Sequence, residues 1–384
     1  MGIINLDNAS NTRMRKKIIN IYKKIISDKY LSNPSSFHYL GRHTKSYIEI
    51  SREKIANLIN CNPLEIIFTS GGTEGNNLII KSVIKYYKIK YIITSKLEHL
   101  SVLNTVKSLA KEYNIKIIYV KNDKYGNLNY KDLNLIFKKK TNYKYNILIT
   151  IMYINNEIGN INNIKKIGIL CQKYNILFHS DFVQYIGHYK VDVKNIFCNY
   201  FTVSAHKFYG PLGIGFVYIK KGFRLNRFIT GGNQEQKIRS GTENLYGIIC
   251  MYKSLKIAIK KNKDEKSYII KLKKYCINLL NKNIKDIKYN GLSYHLKKSS
   301  YNILNIRLPI KDDLLHIKLD LKKIILSKGS SCYSHKKESH VIKNILSKKV
   351  NRNTTSLRIS FSIYNKKKDI YIFVKELKKI ILSC

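Results

Sequence analysis

Short apolar runs alternate with segments of helical periodicity from residue 65 to about residue 205. The runs are rich in Ile, Val, Tyr and Phe, and they predict strands at 65–69, 90–95, 115–120, 145–154, 176–182 and 200–205. Apolar residues spaced three or four positions apart predict helices at 78–87, 100–113 and 164–174. Strands that alternate with helices in this way indicate βαβ units, and therefore a mostly parallel sheet covered by helices on both faces.

The pattern changes after about residue 255, where long Lys- and Ile-rich helical patterns replace most of the strands. We therefore predict an α/β protein with two domains. The large domain would span residues 16–255, and residues 1–15 and 256–384 would form a smaller α+β domain.

Polar side chains follow five of the predicted strands at the points where those strands end. The carboxyl ends of parallel strands meet at one edge of the sheet, where ligands bind in open α/β folds, so these side chains are expected to converge. They are Ser70 to Thr73 in a glycine-rich stretch, Glu98 with His99, Asn155 to Glu157, Asp181 with Gln184, and Ser204 with His206 and Lys207. One polar strand end carries little information, but five at one edge indicate a site.

Each of these groups has a structural explanation as well as a chemical one. The stretch SGGTEGNN (70–77) is expected to form a loop before a helix, and it can either cap that helix or cradle a phosphate. Asp181 can be a helix cap or the partner of a protonated ring nitrogen, and His99 can be a core histidine or a ring-stacking proton carrier. Lys207, which a solvated charge explains most simply, can instead form a Schiff base with an aldehyde. A phosphate cradle, a carboxylate, an imidazole and a lysine at one sheet edge together point to pyridoxal phosphate.

The chain is strongly basic, with 71 Lys and Arg residues against 24 Asp and Glu residues and a formal net charge of +47. The basic residues are spread over distant segments and accompany many Asn, Ile and Tyr residues, all of which have A/T-rich codons. We therefore attribute the charge to genome composition more than to a nucleic-acid-binding face, and nucleic acid is not an expected partner. No apolar stretch of about 18 residues or more occurs, and the N-terminus has no signal-peptide pattern, so we expect no membrane contact and a cytoplasmic location.

The seven cysteines are odd in number and none of them forms a CxxC pair. This argues against a disulfide scaffold and against a zinc site, so we expect reduced thiols and no metal. Most of the cysteines have apolar neighbours. Cys332 differs, because it lies in the polar stretch SKGSSCYSHKK with Lys and His nearby, which favour a thiolate.

Ordered motifs over residues 6 to about 362 resemble the NifS/IscS-type cysteine desulfurases, in the class V aminotransferase branch of the pyridoxal-phosphate enzymes. The motifs that carry the resemblance are LDNAS, NPSSFHYLGR, EIIFTSGGTEGNNL, TSKLEH, NNEIGN, HSDFVQYIG, SAHKFYGPLGIGFVYI, RSGTEN, YNILNI, SKGSSC and LRISFS. The resemblance implies fold type I of the pyridoxal-phosphate-dependent transferases, a pyridoxal 5'-phosphate cofactor and a homodimer.

The resemblance also implies roles for the matching residues. Lys207 would carry the cofactor as a Schiff base, Asp181 would pair with its ring nitrogen, and His99 would stack on its ring. The phosphate would be held by Gly72, Thr73, Ser204 and His206, and across the dimer by Thr242. Gln184 would bind the phenolic oxygen of the cofactor. Asn156 would bind both the cofactor and the substrate carboxylate, and Arg358 would bind that carboxylate as a bidentate fork.

By the same resemblance, Cys332 is the catalytic nucleophile, with Lys207 and His99 as the other catalytic residues. The Cys332 thiolate would attack the sulfur of L-cysteine, leaving a persulfide on the enzyme and releasing alanine. The persulfide sulfur would then pass to an acceptor, either an iron–sulfur scaffold protein or a tRNA-thiolation protein.

Some positions depart from the family pattern. Gly72 stands where Ala is usual, Tyr301 where Pro is common and Ser362 where Gly is expected, and Lys-Gly-Ser-Ser at 328–331 replaces Ser-Gly-Ser-Ala. None of these changes removes a chemical group. The chain ends at Cys384, without the further C-terminal tail of members that dock a scaffold, which puts scaffold docking in question.

Two other hypotheses stay open on the sequence alone. A selenocysteine lyase or another class V aminotransferase would share the cofactor site, although transamination needs no thiol at Cys332. A basic nucleic-acid-binding protein with a decayed enzyme fold would explain the charge, but the intact Lys207, Asp181, His99 and Cys332 argue against decay. Salt-dependent RNA binding would distinguish that protein from an enzyme.

Overall fold

The computed structural model describes residues 2–139, 145–329 and 339–383. The helices in these residues are α1 (Lys16–Ile26), α2 (Tyr39–Ile59), α3 (Gly72–Tyr87), α4 (Leu100–Glu112), α5 (Tyr130–Lys138), α6 (Ile164–Lys173), α7 (Leu245–Asn283), α8 (Leu315–Leu321), α9 (His340–Ile345), α10 (Lys348–Arg352) and α11 (Lys367–Leu382). The strands are β1 (Ile4–Asn5), β2 (Ile66–Thr69), β3 (Tyr91–Ser95), β4 (Lys116–Val120), β5 (Ile147–Thr150), β6 (Leu177–Asp181), β7 (Tyr200–Ser204), β8 (Gly215–Ile219), β9 (Lys288–Tyr289), β10 (Ile303–Leu308), β11 (Ile324–Ile325) and β12 (Thr355–Ser360). None of the helices in this part of the chain has the length and apolar character needed to cross a membrane.

The central sheet has seven strands in the order β2-β8-β7-β6-β5-β3-β4. Neighbouring strands run parallel from β7 through β6, β5 and β3 to β4, whereas β8 is antiparallel to both β7 and β2. β2 therefore points the same way as the parallel strands. The predicted mostly parallel sheet is confirmed, and the carboxyl ends of β2, β3, β5, β6 and β7 share one edge.

Alternating side chains of this sheet pack into two hydrophobic layers. On one face, residues such as Ile66, Ile149 and Phe201 pack with α2, α5, α6 and the first half of α7. On the other face, residues such as Ile67 and Leu148 pack with α3 and α4. Successive strand residues point to opposite faces, so apolar runs without polar gaps are what a sheet covered on both sides requires.

A separate core lies in the C-terminal part of the chain. There β10 pairs antiparallel with β9 and β12, and β1 pairs parallel with β11. Leu272 of α7, Leu357 of β12 and Phe373 of α11 belong to this core together with Leu6 near the N-terminus. The 39-residue helix α7 contributes Leu255 to the core of the large sheet and Leu272 to this one, so it connects the two.

Two predicted element boundaries are wrong. The stretch 70–77 is a loop only at its start, because Gly71 makes the turn in one residue, with φ of 147°, and α3 begins at once at Gly72. The predicted strand 145–154 ends at Thr150. Just beyond it, the backbone N–H of Met152 donates to the buried carboxylate of Glu98.

Candidate active site

A cavity of about 270 Å³ opens at the carboxyl edge of the central sheet. All but two of the predicted site residues line it: Gly72, Thr73, His99, Asn156, Asp181, Gln184, Ser204, His206, Lys207 and Arg358. The convergence expected from the parallel strand ends is therefore present in the structure.

The other two predicted residues are not in this cavity. Cys332 lies outside the described residues. Thr242 is exposed and does not line the cavity of its own chain.

Backbone without side chains bounds one part of the cavity, at the start of α3. Gly71 has φ of 147°, a conformation that strains other residues. A Cβ at Gly72 would lie 2.9 Å from Cγ2 of Val183, and a Cβ at Gly71 would lie 3.3 Å from Oγ of Ser204. Oγ of Ser204 is in turn 2.9 Å from Nδ1 of His206. A helix N-terminus with small residues and adjacent hydroxyl and imidazole groups suits an anion such as a phosphate.

Lys207 reaches the cavity from a single 3-10 turn that follows β7. Its Nζ donates to the backbone oxygens of Ala9, at 2.8 Å, and Ser10, at 2.6 Å. Nε2 of the buried His188 donates to the backbone oxygen of Lys207, at 2.9 Å. The side-chain amine of Lys207 is thus held at the cavity wall, and the hydrogen bond from His188 fixes the backbone of the same residue.

The carboxylate of Asp181 and the imidazole of His99 belong to one hydrogen-bond network. Oδ1 of Asp181 accepts the N–H of Val183, at 2.9 Å, and Oδ2 accepts Nδ2 of Asn76, also at 2.9 Å. The same Nδ2 donates to Oγ of Ser101, at 2.8 Å, and this hydroxyl lies 2.8 Å from Nδ1 of His99. The network connects the end of β6 to the start of α4 through the first turns of α3.

The tautomer of His99 follows from its role as the N-cap of α4. The backbone N–H of Ser101 donates to Nδ1 of His99, at 3.1 Å. Because an N–H can only donate, Nδ1 is the accepting nitrogen, and the ring proton of the neutral imidazole is on Nε2. The cap also fixes the orientation of the ring.

Arg358 of β12 is 1% exposed, and its guanidinium group is held by three acceptors. Its Nη2 donates to Oδ1 of Asp7, at 2.6 Å, and to Oγ of Ser10, at 2.8 Å. Its Nη1 donates to the backbone oxygen of Asn156, at 2.9 Å, whereas its Nε is buried without a hydrogen-bond partner among the described residues. A guanidinium group fixed in this way presents a planar donor set that matches a carboxylate.

Burial changes the protonation of two further groups at this edge. It lowers the pKa of His206 to about 4, and the nearby Lys207 contributes to the decrease, so this imidazole is neutral at pH 7. Burial raises the pKa of Glu98 well above its ordinary value, opposed by the N–H of Met152 and reinforced by the charge of Asp181. His206 is therefore a hydrogen-bonding group and not a cation.

The sequence predictions missed several residues that contact the predicted ones, among them Asn76, Ser101, Asp7 and Ser10. Asn76 lies one helical turn after Gly72, so helical periodicity could have found it once the start of α3 was known. The contact between Asp7 and Arg358 joins positions 351 residues apart, and no local pattern indicates it.

Residues 4–373 match the protein family described as Aminotransferase class-V. The chain belongs to the class V aminotransferase family. It is similar to the Cysteine desulfurase IscS of Dictyoglomus turgidum, with 38% identity over 378 residues that cover 98% of this chain and 94% of that protein. A solved NifS-like protein has a TM-score of 0.89 and 29% identity, with 100% of both chains covered. The solved structure of SspA in complex with cysteine has a TM-score of 0.80 and 27% identity, covering 95% of this chain and 100% of the other. The recognised family and the predicted fold are confirmed.

Class V aminotransferases are pyridoxal-phosphate enzymes, and the cavity of this family member contains side chains that suit each part of that cofactor. The glycine-lined start of α3 suits the phosphate, and the carboxylate of Asp181 suits a protonated ring nitrogen. The imidazole ring of His99, which is fixed because His99 caps α4, suits contact with the cofactor ring. Lys207 has a primary amine that suits the aldehyde. The residues therefore fit the cofactor.

Removal of the Asn76 side chain tests the network around Asp181. Asn76→Ala should lower the free energy of unfolding by about 1–3 kcal/mol, because it takes a donor away from two buried oxygens, those of Asp181 and Ser101. Asn77→Ala is the matched control, since Asn77 is only partly buried and its contacts lie within α3 and to Thr105. Urea unfolding of both variants without added cofactor measures the difference. Equal losses in the two variants would contradict the network.

Proposed function

We propose that this protein is an L-cysteine desulfurase that uses pyridoxal phosphate. The observation that carries the proposal is the convergence of Lys207, Asp181 and His99 on one cavity, in a chain that resembles cysteine desulfurases over nearly its whole length. Because the structure named SspA in complex with cysteine shares the fold, L-cysteine is also the substrate we propose for this chain.

The cofactor would be held by the residues that bound the cavity. Lys207 would bind it covalently through Nζ, and Asp181 would keep its ring nitrogen protonated. The start of α3 at Gly72 and Thr73, with Ser204 and His206, would bind its phosphate. His99 would contact its ring. Gln184 would donate a hydrogen bond to its phenolic oxygen, and Nε2 of Gln184 already donates to the backbone oxygen of Ala9, at 2.9 Å. When bound, pyridoxal phosphate supplies an electron-accepting ring that makes the Cα proton of an amino acid removable.

The substrate carboxylate would bind between Arg358 and Asn156. In the described contacts, Arg358 already pairs with Asp7, so the substrate would share the guanidinium with that carboxylate or replace it. With either arrangement, the amino acid would lie at the part of the cavity wall that β12 and the residues beyond β5 form. Lys207 and Arg358 would thus define the two ends of the substrate.

The sulfur transfer would take place at Cys332, as the family resemblance implies. The Cys332 thiolate attacks the substrate sulfur, so that an S–S bond forms and the Cβ–S bond breaks. The electron pair of the broken bond stays with the substrate carbon, which takes up a proton to give alanine. Cys332 then carries the sulfur as a persulfide for an acceptor protein, for which we propose an iron–sulfur scaffold or a tRNA-thiolation protein. The cytoplasmic location stays a prediction.

We also propose the two-domain division predicted from the sequence, with residues 16–255 in the large domain and residues 1–15 and 256–384 in the small one. Two separate hydrophobic cores support it, one on the central sheet and one around β10 and β12. The continuous helix α7 would connect the domains.

We propose a homodimer in which Thr242 reaches the phosphate site of the other subunit. Thr242 is exposed in the single chain, although it belongs to a motif that the resemblance places at the cofactor. Phe37 is 94% exposed, and Tyr39 is exposed beside it at the start of α2. The ring of Tyr39 stacks on His43, at 5.8 Å between centroids, so an aromatic surface is available for a second copy.

The oligomeric state tests this surface. Light scattering of the parent protein should give twice the mass of one 44.9-kDa chain. Phe37→Asp should shift the protein toward single chains at low concentration, because a charge would be buried in an apolar interface. Leu321→Asp is the matched control, since Leu321 is also exposed, at the end of α8, and this variant should stay dimeric. A parent protein with the mass of one chain would refute the dimer.

The position of the transferred sulfur tests the proposed function. After a single exposure to L-cysteine without reductant, the peptide that contains Cys332 should gain about 32 Da, the mass of one sulfur atom. Cys332→Ser should retain the cofactor and bind L-cysteine, yet release no sulfide, because a hydroxyl is not a nucleophile for sulfur at neutral pH. Cys276→Ser, at a buried cysteine in the C-terminal core, is the control and should keep the adduct at Cys332. Sulfide release by Cys332→Ser at the parent rate would favour the lyase hypothesis, because transamination breaks no C–S bond.

A further inference from the structure

A buried histidine next to the proposed cofactor-binding lysine has no part in the proposed mechanism. His188 is 3% exposed, and both nitrogens of its ring are within hydrogen-bond distance of another residue. Its Nε2 lies 2.9 Å from the backbone oxygen of Lys207, and its Nδ1 lies 2.8 Å from the hydroxyl oxygen of Tyr301. Tyr301, just before β10, is also buried. The imidazole therefore connects the backbone of Lys207 to a buried tyrosine.

The directions of these two hydrogen bonds follow from the protonation of His188. Burial lowers the pKa of this imidazole to about 4, opposed by the hydrogen bond to Lys207 and reinforced by the positive charges of Arg15 and Lys207. The ring is therefore neutral at pH 7 and carries one proton. Because a carbonyl oxygen can only accept, that proton is on Nε2, and Nδ1 accepts the hydroxyl of Tyr301. Tyr301 thus selects the tautomer that donates to Lys207.

The backbone around His188 packs directly against the residues next to the lysine. Gly187 has φ of 78°, and a Cβ at this position would overlap Cβ of Phe208, the residue after Lys207. The backbone oxygen of His188 accepts Nδ2 of Asn262 in α7, at 2.7 Å. His188 is therefore fixed through its backbone as well as through its ring.

The hydrogen bond between His188 and Tyr301 also connects the two hydrophobic cores. Ile186, two residues before His188, belongs to the core on the central sheet, whereas Tyr301 belongs to the C-terminal core together with Leu304. Tyr301 stands where Pro is common in the enzymes that this sequence resembles, and proline has no hydroxyl to donate. The bond from Tyr301 to His188 is therefore a feature of this chain.

We propose that His188 is a positioning residue for Lys207: Tyr301 orients the imidazole of His188, and this imidazole holds the backbone of Lys207 so that Nζ meets the aldehyde of the cofactor. The inference rests on the proposed function, in which Lys207 binds pyridoxal phosphate covalently. The hydrogen bonds of His188 within the described residues reach neither Asp181 nor the start of α3. Loss of His188 thus leaves the proposed sites for the ring nitrogen and the phosphate in place.

Two substitutions of His188 separate its two hydrogen bonds. The side-chain amide of Gln extends about as far as Nε2, so His188→Gln keeps a donor for the backbone oxygen of Lys207. The shorter amide of Asn extends about as far as Nδ1, so His188→Asn loses that donor. Tyr301→Phe removes the hydroxyl but keeps the aromatic ring. Tyr200→Phe is the matched control, since Tyr200 is also buried and its hydroxyl donates to a backbone oxygen, that of Arg224, at 3.3 Å.

The full-length protein of each variant is freed of cofactor and mixed with pyridoxal phosphate, and its covalent attachment to Lys207 is followed over time by borohydride trapping and peptide mass mapping. In parallel, calorimetry measures the affinity for pyridoxamine 5'-phosphate, which has the ring and the phosphate but no aldehyde. Because a misplacement of about 1 Å can cost about a hundredfold in rate, a smaller shift of Lys207 should slow attachment about tenfold in His188→Asn and about threefold in Tyr301→Phe. His188→Gln and Tyr200→Phe should react at the parent rate, and the affinity for pyridoxamine 5'-phosphate should be unchanged throughout.

Attachment at the parent rate in both His188→Asn and Tyr301→Phe would overturn the inference. A matching loss of affinity for pyridoxamine 5'-phosphate would also overturn it, because His188 would then support the whole cavity and not Lys207 in particular. So would equally slow attachment in His188→Gln and His188→Asn. These results leave the proposed function intact as long as the parent attaches the cofactor to Lys207. A parent that attaches none there overturns the proposed role of Lys207, and this inference with it.

Discussion

A carboxylate that is only 7% exposed must be matched by hydrogen-bond donors, and this requirement organises the sheet edge around Asp181. Asp181 ends β6 in the interior of the sheet, so donors from the protein itself have to match its oxygens. One donor is the N–H of Val183, and the other is Asn76, which is in reach because α3 begins at Gly72. The same network includes Ser101 and orients His99. A cavity formed in this way has a fixed negative charge, an oriented imidazole and a helix N-terminus in one place.

The N-terminal segment joins this region to the rest of the site. The backbone oxygens of Ala9 and Ser10 accept hydrogen bonds from the amine of Lys207. Both the N–H and the hydroxyl of Thr12 donate to the backbone oxygen of His206, at 2.9 and 2.7 Å. Asp7, a few residues earlier, pairs with Arg358. One short stretch therefore fixes the proposed lysine end and the proposed carboxylate end of the substrate relative to each other. A shift of this segment would move both ends together.

The fold and most of the site were open to prediction because they depend on regular patterns. Parallel strands place their carboxyl ends at one edge, so polar residues after apolar runs identified His99, Asp181 and Lys207 without knowledge of the packing. Asn76 was missed because the stretch 70–77 was expected to be a loop, whereas Gly71 completes the turn in one residue. Contacts such as Asp7 with Arg358, or His188 with Tyr301, depend on how distant side chains meet, and a pattern read along the chain does not contain that information.

The central claim of this account is that Lys207 holds the cofactor covalently, and borohydride reduction of the purified protein tests it most directly. Reduction followed by peptide mass mapping should place the cofactor mass on the peptide that contains Lys207. The same treatment of Lys207→Ala should place it on no peptide, whereas Lys96→Ala, at an exposed lysine beyond β3, should match the parent. Cofactor mass on a different lysine of the parent, or cofactor fixed equally well in Lys207→Ala, would contradict the account.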